Sequence, residues 1–223
     1  MDSLQKNASE ALGTRVYNAL CASLRNGDLR SGDRVREEEV ARQLGVSRTP
    51  VREALGRLQA RGLLTAAGGR GLVVRRLEVR DVMELYTMRE IIEGASAALA
   101  ANHASAMEIE TLNELNAAFG EAASDPKEMA RLNRLFHEAI YRAARNQYLD
   151  LALSEIQDSI GLLGKTTFIV PGRPERAVEE HRAMIDAIAR RDGKTADELA
   201  RSHIRGALSA RMRLLQETRE TVA

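Results

Sequence analysis

Residues 35–61 read VREEEVARQLGVSRTPVREALGRLQAR, and the fold class turns on this stretch. Its first half, Glu37 to Leu44, suits a short helix and ends at Gly45, a residue that tolerates the positive φ of a tight helix exit. Ser47 stands where a helix N-cap belongs, and Pro50 falls in the first turn, where a missing N–H costs little. The second helix runs through Leu55 and Leu58 to Arg61 and stops at Gly62. With Val40, Leu44, Val46, Val51 and Leu55 turned inward, the pair is expected to fold as a helix-turn-helix. The second helix then presents Arg48, Thr49 and Arg52 at its leading end. From there an arginine fork can bond the O6/N7 edge of guanine in a major groove, so Arg48 and Arg52 are the candidates for base contact. Ser47 and the open N–H groups of that first turn suit a phosphate, as does Thr49.

Working outward, Leu12, Val16, Leu20 and Leu24 recur at helical spacing from Glu10 to Asn26, with a stop at Gly27. Arg30-Ser31-Gly32-Asp33 has turn chemistry. After the second helix, Leu63-Leu64-Thr65 and Leu72-Val73-Val74 form two short strands around Gly68-Gly69-Arg70-Gly71, a wing that would carry Arg70 to the DNA backbone or minor groove. From Glu78 onward the periodicity predicts helices near 78–102, 105–123, 127–144, 147–168, 175–191 and 195–219. The expected architecture is therefore mainly α: a disordered tail over 1–9, a winged helix-turn-helix over 10–77, and an antiparallel bundle of about six helices over 78–223.

Composition agrees with this division. The 223 residues are 44% apolar and 29% charged, with four Pro and no Trp, an ordinary helix-favouring balance. No apolar run is long enough for a membrane span, and the first residues carry no apolar signal core. One cysteine, Cys21, cannot build an intrachain disulfide; it fits a reducing cytoplasm and a buried place on an amphipathic helix. Net charge is +1, yet residues 10–77 hold 13 Arg or Lys against 7 Asp or Glu, whereas residues 78–223 hold 19 against 24. A basic first third facing a polyanion and an acidic remainder are implied.

The runs Leu29-Arg30-Ser31-Gly32-Asp33-Arg34-Val35 and Leu44-Gly45-Val46-Ser47-Arg48-Thr49-Pro50-Val51-Arg52-Glu53-Ala54-Leu55 resemble the hallmark of the GntR family of bacterial regulators, and the resemblance extends over the whole chain. It implies a homodimer on a short palindromic DNA operator, one recognition helix per half-site. Arg57 and Arg61, further along that helix, are expected to face solvent.

The bundle contains His103, His137, His181 and His203. Asn133 and His137 are one helical turn apart and share a face. His181 and His203 are each 11 residues from Asp192, the centre of the turn between the last two helices, so they lie level in an antiparallel hairpin. Three imidazoles and an amide oxygen inside a bundle would make a divalent metal site with open positions, zinc first, with nickel or manganese as alternatives. Plain hydrogen-bonded bundle histidines are the alternative. His103, at a helix end, is expected on the surface.

The pattern is similar to the all-helical sensing domain of the FadR-type subgroup, known as FCD. Its metal set is an Asp or Asn and a His one turn later, followed by two His on the last helices. Here Asn133 stands where Asp is more usual, which leaves the site more positive and favours an anionic guest, a small organic acid effector. The subgroup also has an Arg and a Glu at the places of Arg89 and Glu93. Arg89 either reaches inward to an effector carboxylate or forms a surface pair with Glu93. Leu99, Leu112, Leu115, Phe119, Leu132, Leu135 and Ile140 are expected as core. Two other readings stay open, a purely structural metal or a metal-dependent hydrolase, although Glu138 points about 100° away from His137 on its helix.

Overall fold

The computed structural model describes residues 2–68 and 71–222, with side chains described over 11–68 and 71–217. Two units emerge: Met1–Leu77 with Gln157–Gly164, and Glu78–Ile156 with Lys165–Ala223.

In the first unit, helix α1 (Asp2–Asn26) packs on α3 (Arg48–Ala60), with α2 (Glu37–Leu44) beside it. Val16, Leu20, Cys21 and Leu24 from α1 share one apolar cluster with Val40, Val51, Ala54, Leu55 and Leu58. Helix α1 starts ahead of the expected Glu10 and takes in the segment read as a tail. Its Asp2-Ser3 opening and the Ala8-Ser9-Glu10-Ala11 run are compatible with helix. Gly45 leaves α2 at φ 64, in the left-handed region that a side chain would resist. Leu44, expected inside, is exposed because the inner face of α2 is taken by Val40 and Ala41 and the helix ends at Leu44. Val46 is half-buried.

Three strands, rather than two, make the sheet: β1 (Arg34–Val35), β2 (Leu64–Ala66) and β3 (Leu72–Val74), in the order β1-β3-β2 and antiparallel throughout. Strand β1 is too short for alternation to reveal it; it is held by the neighbouring bonds Gly32 N–H to Val74 O and Val74 N–H to Asp33 O, both 2.9 Å.

The second unit is helical: α4 (Val79–His103), α5 (Ala106–Glu121), α6 (Pro126–Ala143), most of α7 (Gln147–Gly161), a 3-10 turn at Thr167–Ile169, α8 (Arg173–Ala189) and α9 (Gly193–Val222). Local chemistry sets the boundaries. Glu78 with Asp81 and Ser105 with Glu108 form capping boxes on α4 and α5, and Asp125 accepts from the Lys127 and Glu128 N–H groups at the head of α6. Helix α7 ends before the expected residue 168, because the chain turns at Gly164 (φ 71) and Thr166 caps the 3-10 turn. Helix α8 begins two residues early, with Pro174 in its first turn.

Helix α4 lies along α9, and α5 packs on α6 and α8. Small residues allow the first approach: a Cβ on Gly94 would stand 2.6 Å from Asp197 Oδ1, and one on Gly193 3.1 Å from the Ala98 carbonyl. Leu112, Phe119, Leu132 and Ile140 are buried as expected, while Leu99, Leu115 and Leu135 are half-buried. Among the described residues, no helix is long and apolar enough to cross a membrane.

Candidate DNA-reading face and histidine centre

Ser47, Arg48, Thr49 and Arg52 all lie exposed at the leading end of α3. Ser47 occupies the N-cap position in extended conformation, but its side chain makes no capping bond. Arg48 and Arg52 are one turn apart and both engage the first turn of α2. Arg52 donates from Nε and Nη2 to the two oxygens of Glu37, each at 3.0 Å. Arg48 reaches Glu37 at 3.5 Å and Glu38 at 3.2 Å. The Arg52 bond leads among the causes that hold the Glu37 carboxyl below its ordinary range. Arg70 lies outside the described residues.

Farther along, Arg57 is exposed and lies over the Tyr17 ring at 4.1 Å. Arg61 departs from its expected solvent position: it bonds the Tyr17 hydroxyl and, at 2.7 Å, the buried Asp158 carboxylate, which also faces Arg25 at 3.4 Å. No periodicity signals this, because Asp158 comes from a stretch 97 residues later in the chain.

In the second unit, α6, α8 and α9 bring His137, His181 and His203 together. All three are buried, their ring centroids are 4.9–5.6 Å apart, and one nitrogen from each lies within 4.8 Å of the others. The turn at Asp192, which caps α9 by accepting from the Thr195 N–H, closes the α8–α9 hairpin that levels His181 with His203. His181 is stacked on Phe136 at 4.0 Å, which fixes its plane.

Each imidazole is held from behind through Nδ1. His137 Nδ1 lies 2.8 Å from Glu93 Oε2, His203 Nδ1 lies 2.7 Å from Glu180 Oε2, and His181 Nδ1 lies 3.2 Å from Asn116 Oδ1. The Asn116 amide is itself oriented by donating to the Val178 carbonyl at 3.2 Å. An acceptor faces every Nδ1, and Arg173 Nη2 also approaches His203 Nδ1 at 3.3 Å; an imidazole that carries its proton on Nδ1 keeps its lone pair on Nε2. The Nε2 atoms of His137 and His181 are buried without a hydrogen-bond partner, as is Asn133 Oδ1 one turn before His137. Buried polar atoms are rarely left this way. Two orphaned imidazole nitrogens with a third histidine beside them, and an orphaned amide oxygen one helical turn before His137, fit the donor set of a divalent cation.

Arg89 is buried, not on the surface, and donates to Glu93 Oε1 at 2.9 Å. The same carboxylate thus bridges Arg89 and His137. Burial alone would raise the Glu93 carboxyl, but Arg89 and His137 beside it hold it well below the ordinary carboxylate range. A second bridge has the same form: Arg173 donates to Glu180 at 2.7 Å, and Glu180 holds His203. Burial pushes His181 and His203 well below the usual imidazole range, and neighbouring positive groups add to it. Sequence reading placed Glu93 with Arg89 only, and it missed Asn116, Arg173 and Glu180. Glu180 precedes His181 in the chain but serves His203 on the next helix, which no spacing rule reveals. His103 is exposed, its Nδ1 3.1 Å from the Ala144 carbonyl, and Glu138 faces Arg134 at 3.9 Å.

Comparison with known proteins completes this picture. The gntR family of bacterial regulatory proteins matches residues 12–74, and the FCD domain matches residues 84–206. A probable D-xylose utilization operon transcriptional repressor of Paenarthrobacter nicotinovorans is 32% identical over 94% of this chain and 93% of its own length. The uncharacterized HTH-type transcriptional regulator YdhC of Bacillus subtilis is 27% identical over 99% of this chain and 100% of its own. Among solved structures, E. coli McbR/YncC superposes with a TM-score of 0.82 at 24% identity, over 92% of this chain and 98% of that one, a likeness of fold. A winged helix-turn-helix with an arginine-bearing leading end, followed by an FCD domain, makes this chain a DNA-binding transcription regulator of the GntR family.

Proposed function

We propose that this regulator binds a short palindromic operator as a homodimer in the cytoplasm, and that a divalent metal and a small organic acid in its helical unit modulate that binding. Asn133, His137, His181 and His203 would hold the metal, zinc first, with nickel or manganese as alternatives. Bound there, the cation would act as a Lewis acid that draws a carboxylate into its remaining positions.

The observation that carries this reading is the convergence of His137, His181 and His203, one nitrogen from each within 4.8 Å of the others, with the Nε2 atoms of His137 and His181, and Asn133 Oδ1 one turn before His137, buried and unpartnered. Charge supports an anionic effector. The two carboxylates behind the histidines are each matched by an arginine, and Asn133 is neutral, so little negative charge is left to offset a cation. Arg89 adds a fixed guanidinium on the Glu93 side of the centre. A dimer is supported by the exposed Met83, Met88 and Ile91 on one side of α4. No catalytic role is assigned, because Glu138 is paired outward and Glu93 and Glu180 are both engaged as anchors.

The effector would act by binding one dimer arrangement better than another, shifting operator affinity. On the DNA side, Arg48 and Arg52 would contact bases, and Ser47, Thr49 and Arg70 the backbone. Elemental analysis of tag-free protein, purified without chelator, tests the metal. Wild type should carry close to one ion per chain, and the His137→Ala/His181→Ala/His203→Ala variant none; equal, low content in both would end the metal assignment. A thermal-shift screen of small organic acids, followed by DNA titration with any hit, tests the effector. A metal-dependent melting shift with no acid altering DNA affinity would leave the metal purely structural. Arg48→Ala should cost about 1–3 kcal/mol on a selected duplex and relax sequence choice; unchanged affinity and selectivity would remove Arg48 from the reading face.

A further inference from the structure

Glu37 poses a question that the DNA-reading face alone does not answer. A carboxylate beside base-reading arginines repels phosphates, and exposed ion pairs add little to stability. Of the other nearby acids, Glu53 turns back toward Gly13 of α1, Glu39 pairs with Arg36 at 3.3 Å and Glu38 pairs with Arg48 at 3.2 Å. Glu37 instead takes Arg52 through two bonds and reaches Arg48 as well.

The way it grips Arg52 matters. A guanidinium offers five N–H donors along two bidentate edges, one formed by Nε with Nη2 and one by the two Nη atoms. Glu37 occupies the first edge. The terminal edge, suited to guanine O6 and N7, is left facing away from it. An unanchored arginine loses substantial rotamer freedom when it docks, and part of that loss is already met here.

We propose that Glu37 is a specificity-determining positioning residue: it holds the Arg52 fork in base-reading posture while lowering affinity for DNA in general. The inference rests on the reading that Arg48 and Arg52 contact bases. It predicts that loss of Glu37 moves two affinities in opposite directions, which neither a folding defect nor a simple charge change would do.

The full-length protein is used to select a preferred duplex from a random-sequence pool, and affinity is then measured for that duplex and for a scrambled one of equal length. Glu37→Gln should bind the scrambled duplex more tightly and the selected duplex more weakly, narrowing the ratio on the order of tenfold. Glu39→Gln removes the same charge from the same turn without touching either arginine, and should tighten both duplexes while keeping the ratio. In an Arg52→Gln background, Glu37→Gln should narrow the ratio no further. Thermal melting of each variant identifies any loss of fold, and Glu37→Asp provides a shorter carboxylate expected to restore part of the ratio. A Glu37→Gln ratio equal to that of the parent overturns the proposal. Arg48→Ala and Arg52→Gln that both select as the parent does would overturn the base-contact reading itself.

Discussion

Glu93→Gln separates two jobs that one buried carboxylate performs. Glu93 is 3% exposed, accepts from Arg89 at 2.9 Å, and receives His137 Nδ1 at 2.8 Å. Glutamine keeps the shape and one acceptor but removes the charge. Arg89, itself 7% exposed, would be left as an uncompensated buried cation. Breaking a buried pair in this way costs about 3–5 kcal/mol. The amide would also no longer require the proton on His137 Nδ1, and loss of such a partner lowers metal affinity by about 10–100-fold. Urea denaturation of chelator-treated protein at fixed concentration reads the first effect, and competition with a chromophoric chelator reads the second. Adding Arg89→Met should restore much of the stability, since the orphaned charge is gone, but none of the metal affinity. Both effects reversing together, or wild-type metal affinity in Glu93→Gln, would refute the dual role.

Three further outcomes are expected. Glu180→Gln, at the less deeply buried partner of His203, should lower metal affinity while costing less stability than Glu93→Gln, read by the same pair of measurements. Leu58→Ala empties a fully buried position on the inner face of α3 and should cost about 2–5 kcal/mol in urea denaturation. Metal-free protein should lose stability as pH falls. Burial keeps His181 and His203 neutral in the fold, whereas the unfolded chain takes up protons below about pH 6.5. The stability present above that value is therefore lost as pH drops toward their lowered native values. A urea midpoint flat from pH 7 to 5, equal in wild type and His203→Gln, would contradict this.

The sequence exposed whatever depends on local chemistry. Gly45, Pro50 and the 3.6-residue pattern disclosed α2 and α3, and equal spacing about Asp192 levelled His181 with His203. Long-range pairing stayed hidden. Strand β1 is only two residues long, Glu180 serves a histidine 23 positions on, and Arg61 finds Asp158. The surface-pair alternative for Arg89 and Glu93 followed from i,i+4 spacing, which is identical for exposed and buried pairs. Only the neighbouring helices decide which it is.

The short stretch Gln157–Gly164 carries a lesson for anyone cutting this gene. Leu162 is part of the apolar cluster that α1 and α3 build, Asp158 neutralises Arg25 and Arg61, and Gly161 is small enough to sit against the Leu24 backbone, where a Cβ would stand 3.0 Å away. A fragment ending at Leu77 would thus be a torso missing a rib, with an open apolar slot and without the carboxylate that faces Arg25 and Arg61. Grafting this head onto a foreign effector module at that seam would transplant an incomplete fold, and a working chimera has to bring the distant octapeptide along.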